Sequence, residues 1–284
     1  MASESSFHDE EIGLLLTDII DRYGYDFTGY TLASLKRRIS RFLILKKLSG
    51  FAALRHAIRH SENLFNEFVE EVTVTVTDMF RDPPFYRCLA EEIFPALRTR
   101  PFIRIWHAGC STGEEVYSVA ILLHEAGLLP KSLLYATDIN PGVLETLRKG
   151  IYPLGNFRQY SENYIQSGGR KDFSSYYTAR YGFGKFDERL QQRMIISTHN
   201  LVSDSSFNEF QLIICRNVLI YFDKDLQNRV LKLFNDSLEP SGCLALGANE
   251  GLRFSEVATS FTPVCPREKI WKKTEKTAPF IHQL

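Results

Sequence analysis

The sequence predicts an α/β fold: a Rossmann-like domain carrying a small antiparallel β-subdomain, preceded by an all-helical N-terminal domain. Three observations predict it. Apolar residues recur at helical spacing through the first ninety positions. From about residue 100, short β-rich runs alternate with helical stretches, the pattern of a mostly parallel sheet covered on both faces. A segment at 155–190, rich in aromatics and glycines, interrupts that alternation with hairpin-like chemistry.

In order, Ile12, Leu15, Leu16, Ile19 and Ile20 mark a first helix. Leu32, Leu35, Ile39, Phe42 and Leu43 mark a second, interleaved with Lys36, Arg37, Arg38 and Arg41. Helices are expected at about 51–60 and 64–71. The β-branched run from Val72 to Thr77 favours an extended chain or a strained helix end. Asp82-Pro83-Pro84 punctuates the chain, and the domains are expected to divide as 1–88 and 89–284. Strands are expected at Phe102–Trp106, Ser132–Asp138, Met194–Ile196, Phe210–Cys215 and Cys243–Leu246, with the β-subdomain at about 155–190.

The 284 residues are 44% hydrophobic and 13% aromatic, enough apolar surface to exclude disorder over most of the length. Thirty-four Lys+Arg balance 34 Asp+Glu, so recognition of nucleic acid or a membrane surface by a global field is not expected. The polar, acidic opening is unlike a signal peptide, and the apolar runs are too short to span a bilayer. Five scattered cysteines form no C-x-x-C pair, which points to neither a zinc site nor a disulfide framework. The expectation is a reduced, cytoplasmic protein with no metal.

A strand running into Gly109-Cys110-Ser111-Thr112-Gly113 and then a helix is a turn at which ligands approach the backbone. Asp138 ends the next strand, where an acid reaches ribose hydroxyls. The dinucleotide spacing G-x-G-x-x-G is absent, and Glu114 and Glu115 open the helix where a pyrophosphate would sit. Those acids tolerate a cation, which favours S-adenosylmethionine over NAD. After the strand ending at Cys215, Arg216, Asn217 and Tyr221 fall at the mouth of the crevice. His107 has no partner at ligand spacing and is expected to be structural. Cys110 and Cys215 are read as small packing residues.

Taken together, Gly109-Cys110-Ser111-Thr112-Gly113-Glu114-Glu115-Val116-Tyr117-Ser118, Cys215-Arg216-Asn217-Val218-Leu219-Ile220-Tyr221-Phe222 and Met79-Phe80-Arg81-Asp82 resemble the CheR family. This family comprises the S-adenosylmethionine-dependent chemoreceptor glutamate methyltransferases. The resemblance covers roughly residues 10 to 275. It implies that Thr75, Thr77 and Arg81 line the cofactor pocket from the N-terminal side. Glu115, Asp138, Asn200, Leu201, Arg216 and Asn217 would line the rest, with Arg81 and Tyr221 beside the transferred methyl. Thr75 stands where family members often carry Asn, and Met79 replaces an aromatic. The implied partner is the cytoplasmic domain of a chemoreceptor, met by a monomer whose Arg37, Arg38 and Arg41 form a docking face on the second helix.

The implied reaction transfers a methyl group to a receptor glutamate and leaves S-adenosylhomocysteine. A carboxylate with an ordinary pKa near 4.3 is already an anion, so no general base is needed, in keeping with the lack of an obvious His–carboxylate pair. Arg81 would position the carboxylate. A non-catalytic adaptor on the same fold and a methyltransferase acting on another carboxylate or a small molecule are the competing readings.

Overall fold

The computed structural model describes residues 9–73 and 75–274. Four helices, α1 (Asp9–Tyr23), α2 (Leu32–Leu45), α3 (Phe51–His60) and α4 (Glu62–Val72), bury their apolar stripes in one cluster. Ile12 and Ile19 of α1, Leu35 and Ile39 of α2, Ile58 of α3 and Phe68 of α4 meet there. Ser61 caps α4 by accepting from the Leu64 amide. Thr73 ends that helix with extended dihedrals, and its hydroxyl donates to the Val69 carbonyl. The β-branched residues from Thr75 to Thr77 are non-helical.

Next come α5 (Pro83–Cys88), a π-helical turn over Leu89–Ile93, and α6 (Phe94–Arg98). Residues on both sides of position 88, from Met79 to Leu97, pack into the core of the larger domain.

The larger domain runs β1 (Ile103–Ala108), α7 (Glu114–Glu125), β2 (Ser132–Asp138), α8 (Pro141–Lys149), β3 (Ile151–Pro153), α9 (Phe157–Gln166), β4 (Tyr177–Arg180) and β5 (Phe183–Phe186). It continues with α10 (Glu188–Gln191), β6 (Met194–Thr198), β7 (Phe210–Cys215), α11 (Lys224–Ser237), β8 (Leu238–Leu246), β9 (Phe261–Cys265) and β10 (Ile270–Lys273). Seven strands form one sheet in the order β6-β2-β1-β7-β8-β10-β9. The first five are parallel, and β10 pairs antiparallel with both β8 and β9. Strand alternation sends side chains to opposite faces: Ile103 and Ile105 of β1 join the core under α7, while Trp106 and Ala108 join the core under α11.

The insertion differs from the expectation at its first half. Phe157, Tyr160 and Tyr164 are not strand residues but the buried face of α9, spaced three and four apart. Aromatic richness read as β chemistry, whereas the spacing was helical. The hairpin is confined to β4 and β5, turned at Tyr181 and Gly182, both at positive φ, and β3 completes a three-stranded antiparallel sheet.

A second correction concerns the cysteines. Cys88 and Cys265 form a disulfide across a separation of 177 residues. No spacing rule reaches that far; the bond joins the last residue of α5 to the last residue of β9. Cys110, Cys215 and Cys243 are free and buried. Among the described residues, no helix is long and apolar enough to cross a membrane.

Candidate functional site

The chain leaves β1 toward β2 and β6 on one side of the sheet, and β7 and β8 lie on the other. The strand order therefore reverses between β1 and β7, and the crevice outside their carboxyl ends is where ligands of open α/β sheets bind. At the end of β1, Gly109 has φ +74°, and a Cβ there would stand 2.5 Å from Val218 Cγ2. Both the backbone conformation and the close loop require glycine.

Four of the five amides of this turn are already committed. Gly109 and Cys110 donate to the Thr137 carbonyl at 2.8 and 2.9 Å, and Gly113 donates to the Cys110 carbonyl at 3.1 Å. The Ser111 amide donates to Asp138 Oδ2 at 2.9 Å. What faces the cavity is thus not a cradle of amides for a pyrophosphate. Asp138 also accepts from the Asn140 amide at 3.0 Å. Burial raises its pKa, opposed by these backbone donors.

The two acids that open α7 behave differently. Glu115 borders the cavity, accepts from His107 Nδ1 at 3.0 Å and pairs with Arg216 Nη1 at 3.4 Å. Burial alone would raise its pKa, but the His107 hydrogen bond and the Arg216 charge outweigh it, and the pKa is lowered. Glu114 is instead buried away from the cavity, where Thr112 Oγ1 donates to it at 2.6 Å. Desolvation pushes its pKa up to about 7. Only one of the acids therefore offers negative charge to a ligand. His107, fully buried, does have a carboxylate partner, Glu115, two residues past the glycine loop in the first turn of α7.

Arg216 has a side chain only 5% exposed and is spent on the protein itself. It bonds Asp82 at 2.6 Å, reaches the Arg81 carbonyl at 3.3 Å, and lies 4.1 Å over the Phe85 ring. These contacts fasten the segment bearing Arg81. Asn163 of α9 donates to the Met79 carbonyl at 3.0 Å, and the Phe80 amide donates to Ser118 Oγ at 2.9 Å. Phe80 and Asp82 both hold positive φ, 52° and 62°, a costly conformation that only such over-determination sustains. Arg81, between them, is half-buried on the cavity wall and forms no ion pair among the described residues.

Across the crevice, Asn217 sits at φ 61° and Tyr221 ends a short 3₁₀ turn. A buried carboxylate supports this loop: Glu250 accepts from the amides of Asn217, Val218 and Ile220 at 3.1, 2.9 and 3.3 Å, and from Gly247. Gly247 leaves no room for a side chain, since a Cβ would meet the Asn217 nitrogen at 2.8 Å.

One cavity brings together Thr77, Arg81, Gly109, Glu115, Asp138, Asn200, Leu201, Arg216, Asn217 and Tyr221. Thr75 does not border it; its carbonyl accepts from Ser111 Oγ at 3.0 Å, tying the linker to the glycine turn. Sequence reasoning missed Tyr30, Tyr86 and His199 on the cavity wall, and Asp82 and Glu250 behind it. Glu250, four residues past the end of β8 and followed by Gly251, left the one readable signal: an acid at the carboxyl edge of the sheet.

The basic face of α2 is partly neutralised. Lys36 pairs with Asp9 at 2.7 Å, while Arg38 and Arg41 share Glu71 at 3.7 and 3.4 Å. Arg38, with a side chain 17% exposed, turns toward α4 and leaves the expected docking face. Arg37 is exposed and forms no ion pair among the described residues.

The donor set of the cavity fits S-adenosylmethionine: carboxylates for hydroxyl and cationic groups, committed turn amides, and apolar side chains such as Leu201 and Ile139. The comparisons agree. Residues 10–73 match the CheR methyltransferase all-alpha domain, and residues 75–266 match the CheR methyltransferase SAM-binding domain. A protein of Pseudomonas putida named Putative methyltransferase Cher3 is 46% identical over 266 residues, which is 94% of this chain and 97% of that one. Chemotaxis protein methyltransferase 2 of Pseudomonas aeruginosa is 34% identical, covering 80% of this chain and 82% of its own. The chemotaxis protein methyltransferase of Salmonella typhimurium is 32% identical, covering 84% and 83%. Among solved structures, the N-methyltransferase NodS of Bradyrhizobium japonicum is similar with a TM-score of 0.38 and 14% identity, over 69% of this chain and 91% of that one. From the glycine turn to the helical domain, the chain belongs to the CheR family and is an S-adenosylmethionine-dependent methyltransferase.

Proposed function

We propose that this enzyme methylates glutamate side-chain carboxylates in the cytoplasmic domain of a chemoreceptor, giving glutamate methyl esters. S-adenosylmethionine, when bound, supplies an electrophilic methyl group. The observation that carries the choice of acceptor is a cavity with a cation for an anionic acceptor and no histidine poised as a base. Arg81 supplies the cation, on a backbone pinned at both neighbours. His107 is fully buried and does not border the cavity. His199 packs edge-on against Trp106, with Nε2 toward the Ser205 carbonyl at 3.3 Å. An amine or hydroxyl acceptor has to lose a proton; a carboxylate brings its electron pair already free.

In this reading Arg81 holds one oxygen of the acceptor by a charge-assisted hydrogen bond and leaves the other to react. Tyr221, facing the same cavity, orients the same carboxylate. Asp138, Asn200 and Leu201 hold the nucleoside end, and Glu115 faces the cationic part. The names of the relatives support a chemoreceptor as the acceptor. Arg37 and Arg41 of α2 then offer positive charge to an acidic coiled coil.

The test is transfer of labelled methyl to a receptor cytoplasmic fragment. Label should appear on the wild-type fragment and vanish when the acceptor glutamates are replaced by alanine. Label that persists without those glutamates overturns the acceptor class.

A further inference from the structure

The cavity has a contributor from the helical domain that neither the motifs nor the comparisons single out. Tyr30 lies in the loop between α1 and α2, more than forty positions ahead of the linker, yet it borders the same cavity as Asp138. Its placement is fixed by main chain. Tyr30 forms an antiparallel bridge with Phe222, the Thr31 amide donates to the Tyr221 carbonyl at 2.9 Å, and the Asp223 amide donates to the Gly29 carbonyl at 2.9 Å. The loop sits so closely on α11 that a Cβ at Gly29 would stand 2.5 Å from Leu226 Cδ2.

The ring is held as firmly as the backbone. Phe27 and Phe222 meet it edge-on, with centroids 5.3 and 5.1 Å away. Its hydroxyl, by contrast, makes no hydrogen bond among the described residues. Tyr30 is half-buried on the cavity wall, so the group free to accept from it is whatever occupies the cavity. Burial and the charge of Asp138 both raise the phenol's pKa, so it remains protonated and available as a donor. A ring fixed on both sides presents its unspent donor to the cavity in one place.

We propose that Tyr30 is a cofactor-binding residue supplied by the helical domain, its hydroxyl donating to the nucleoside end of S-adenosylmethionine beside Asp138. The end is chosen by its neighbour: Asp138 closes β2, where nucleoside hydroxyls are received, whereas Arg81 and Tyr221 belong to the acceptor side. The helical domain thereby completes the pocket as well as carrying α2. Cofactor affinity then depends on how the 29–31 loop is seated against the 221–223 loop.

Tyr30→Phe removes the hydroxyl and keeps the ring. Calorimetric titration of the full-length protein with S-adenosylhomocysteine and with 5′-methylthioadenosine, which lacks the amino-acid end, tests the assignment. The variant should bind both ligands more weakly by the same factor, about three- to tenfold, the range of one neutral hydrogen bond. Tyr25→Phe, on a ring that packs edge-on against Phe65 in the helical domain, should leave both affinities unchanged. Tyr30→Phe combined with Asp138→Ala should lose less than the product of the two single factors, because the two groups serve one part of the ligand. The thermal shift produced by S-adenosylhomocysteine should shrink in Tyr30→Phe, whatever the melting temperature of the ligand-free variant. Unchanged affinity for either ligand overturns the assignment. So does a loss confined to S-adenosylhomocysteine, which moves the hydroxyl to the amino-acid end. Wild-type binding is the reference throughout, so failure here leaves the glutamate reading untouched.

Discussion

Along the sheet side of the cavity, strand ends and bonds to backbone amides set the positions, whereas the facing segment from Thr75 to Asp82 is held by side chains from four separate places in the chain. Gly109, Asp138 and Asn217 follow directly from the ends of β1, β2 and β7, and backbone amides fix the groups around them. Arg81 is placed instead by Asn163 of α9, Ser118 of α7 and Arg216 after β7, with positive φ on both sides. The difference teaches a division of labour. In the proposed reading, the regular wall holds the cofactor's unreacting nucleoside end. The strained wall presents a cation in a geometry that no strand end or helix terminus supplies, and strain of that kind gathers where chemistry is done.

Arg81→Ala challenges that division most severely. Turnover should fall roughly a hundredfold, the scale of losing acceptor positioning, while the affinity for S-adenosylhomocysteine measured by calorimetry changes much less. Equal losses in binding and turnover would merge the two walls into one. Asp138→Ala is the mirror experiment on the sheet side. It should weaken S-adenosylhomocysteine binding by about 1.5–3 kcal/mol, the worth of hydrogen bonds to a charged group. An unchanged affinity in the folded variant removes Asp138 from the cofactor.

The smallest effect belongs to α2, outside both walls. Arg37→Glu with Arg41→Glu should lower kcat/KM for the receptor and flatten its salt dependence, with cofactor affinity unaltered. Because Glu71 already neutralises part of this face, the change should be less than that of either pocket variant. Wild-type rates at low salt would show α2 to be only a solvated face.

The same contrast explains what was legible in the sequence. The sheet wall could be read because its chemistry is local: a glycine turn, an acid at a strand end and a polar pair after Cys215 each declare themselves within a few residues. The linker arginine was legible only through family resemblance, since nothing within 79–82 reveals that Asn163 and Arg216 will fasten it. Glu250 supports Asn217 from 33 positions away, and the Cys88–Cys265 pair spans 177, so both depend on tertiary packing. Tyr30 was hidden in an ordinary interhelical loop. Arg38 misled in the opposite sense, because counting basic residues on a helix does not reveal Glu71 on its neighbour.

The acceptor class is tested most directly by the chemistry of the product. A receptor cytoplasmic domain labelled by this enzyme from methyl-labelled S-adenosylmethionine, then treated with mild base, should release the label as volatile methanol, as a glutamate methyl ester must. Label that stays on the protein through that treatment marks methylation of Lys, Arg or Cys and contradicts a carboxylate acceptor held by Arg81.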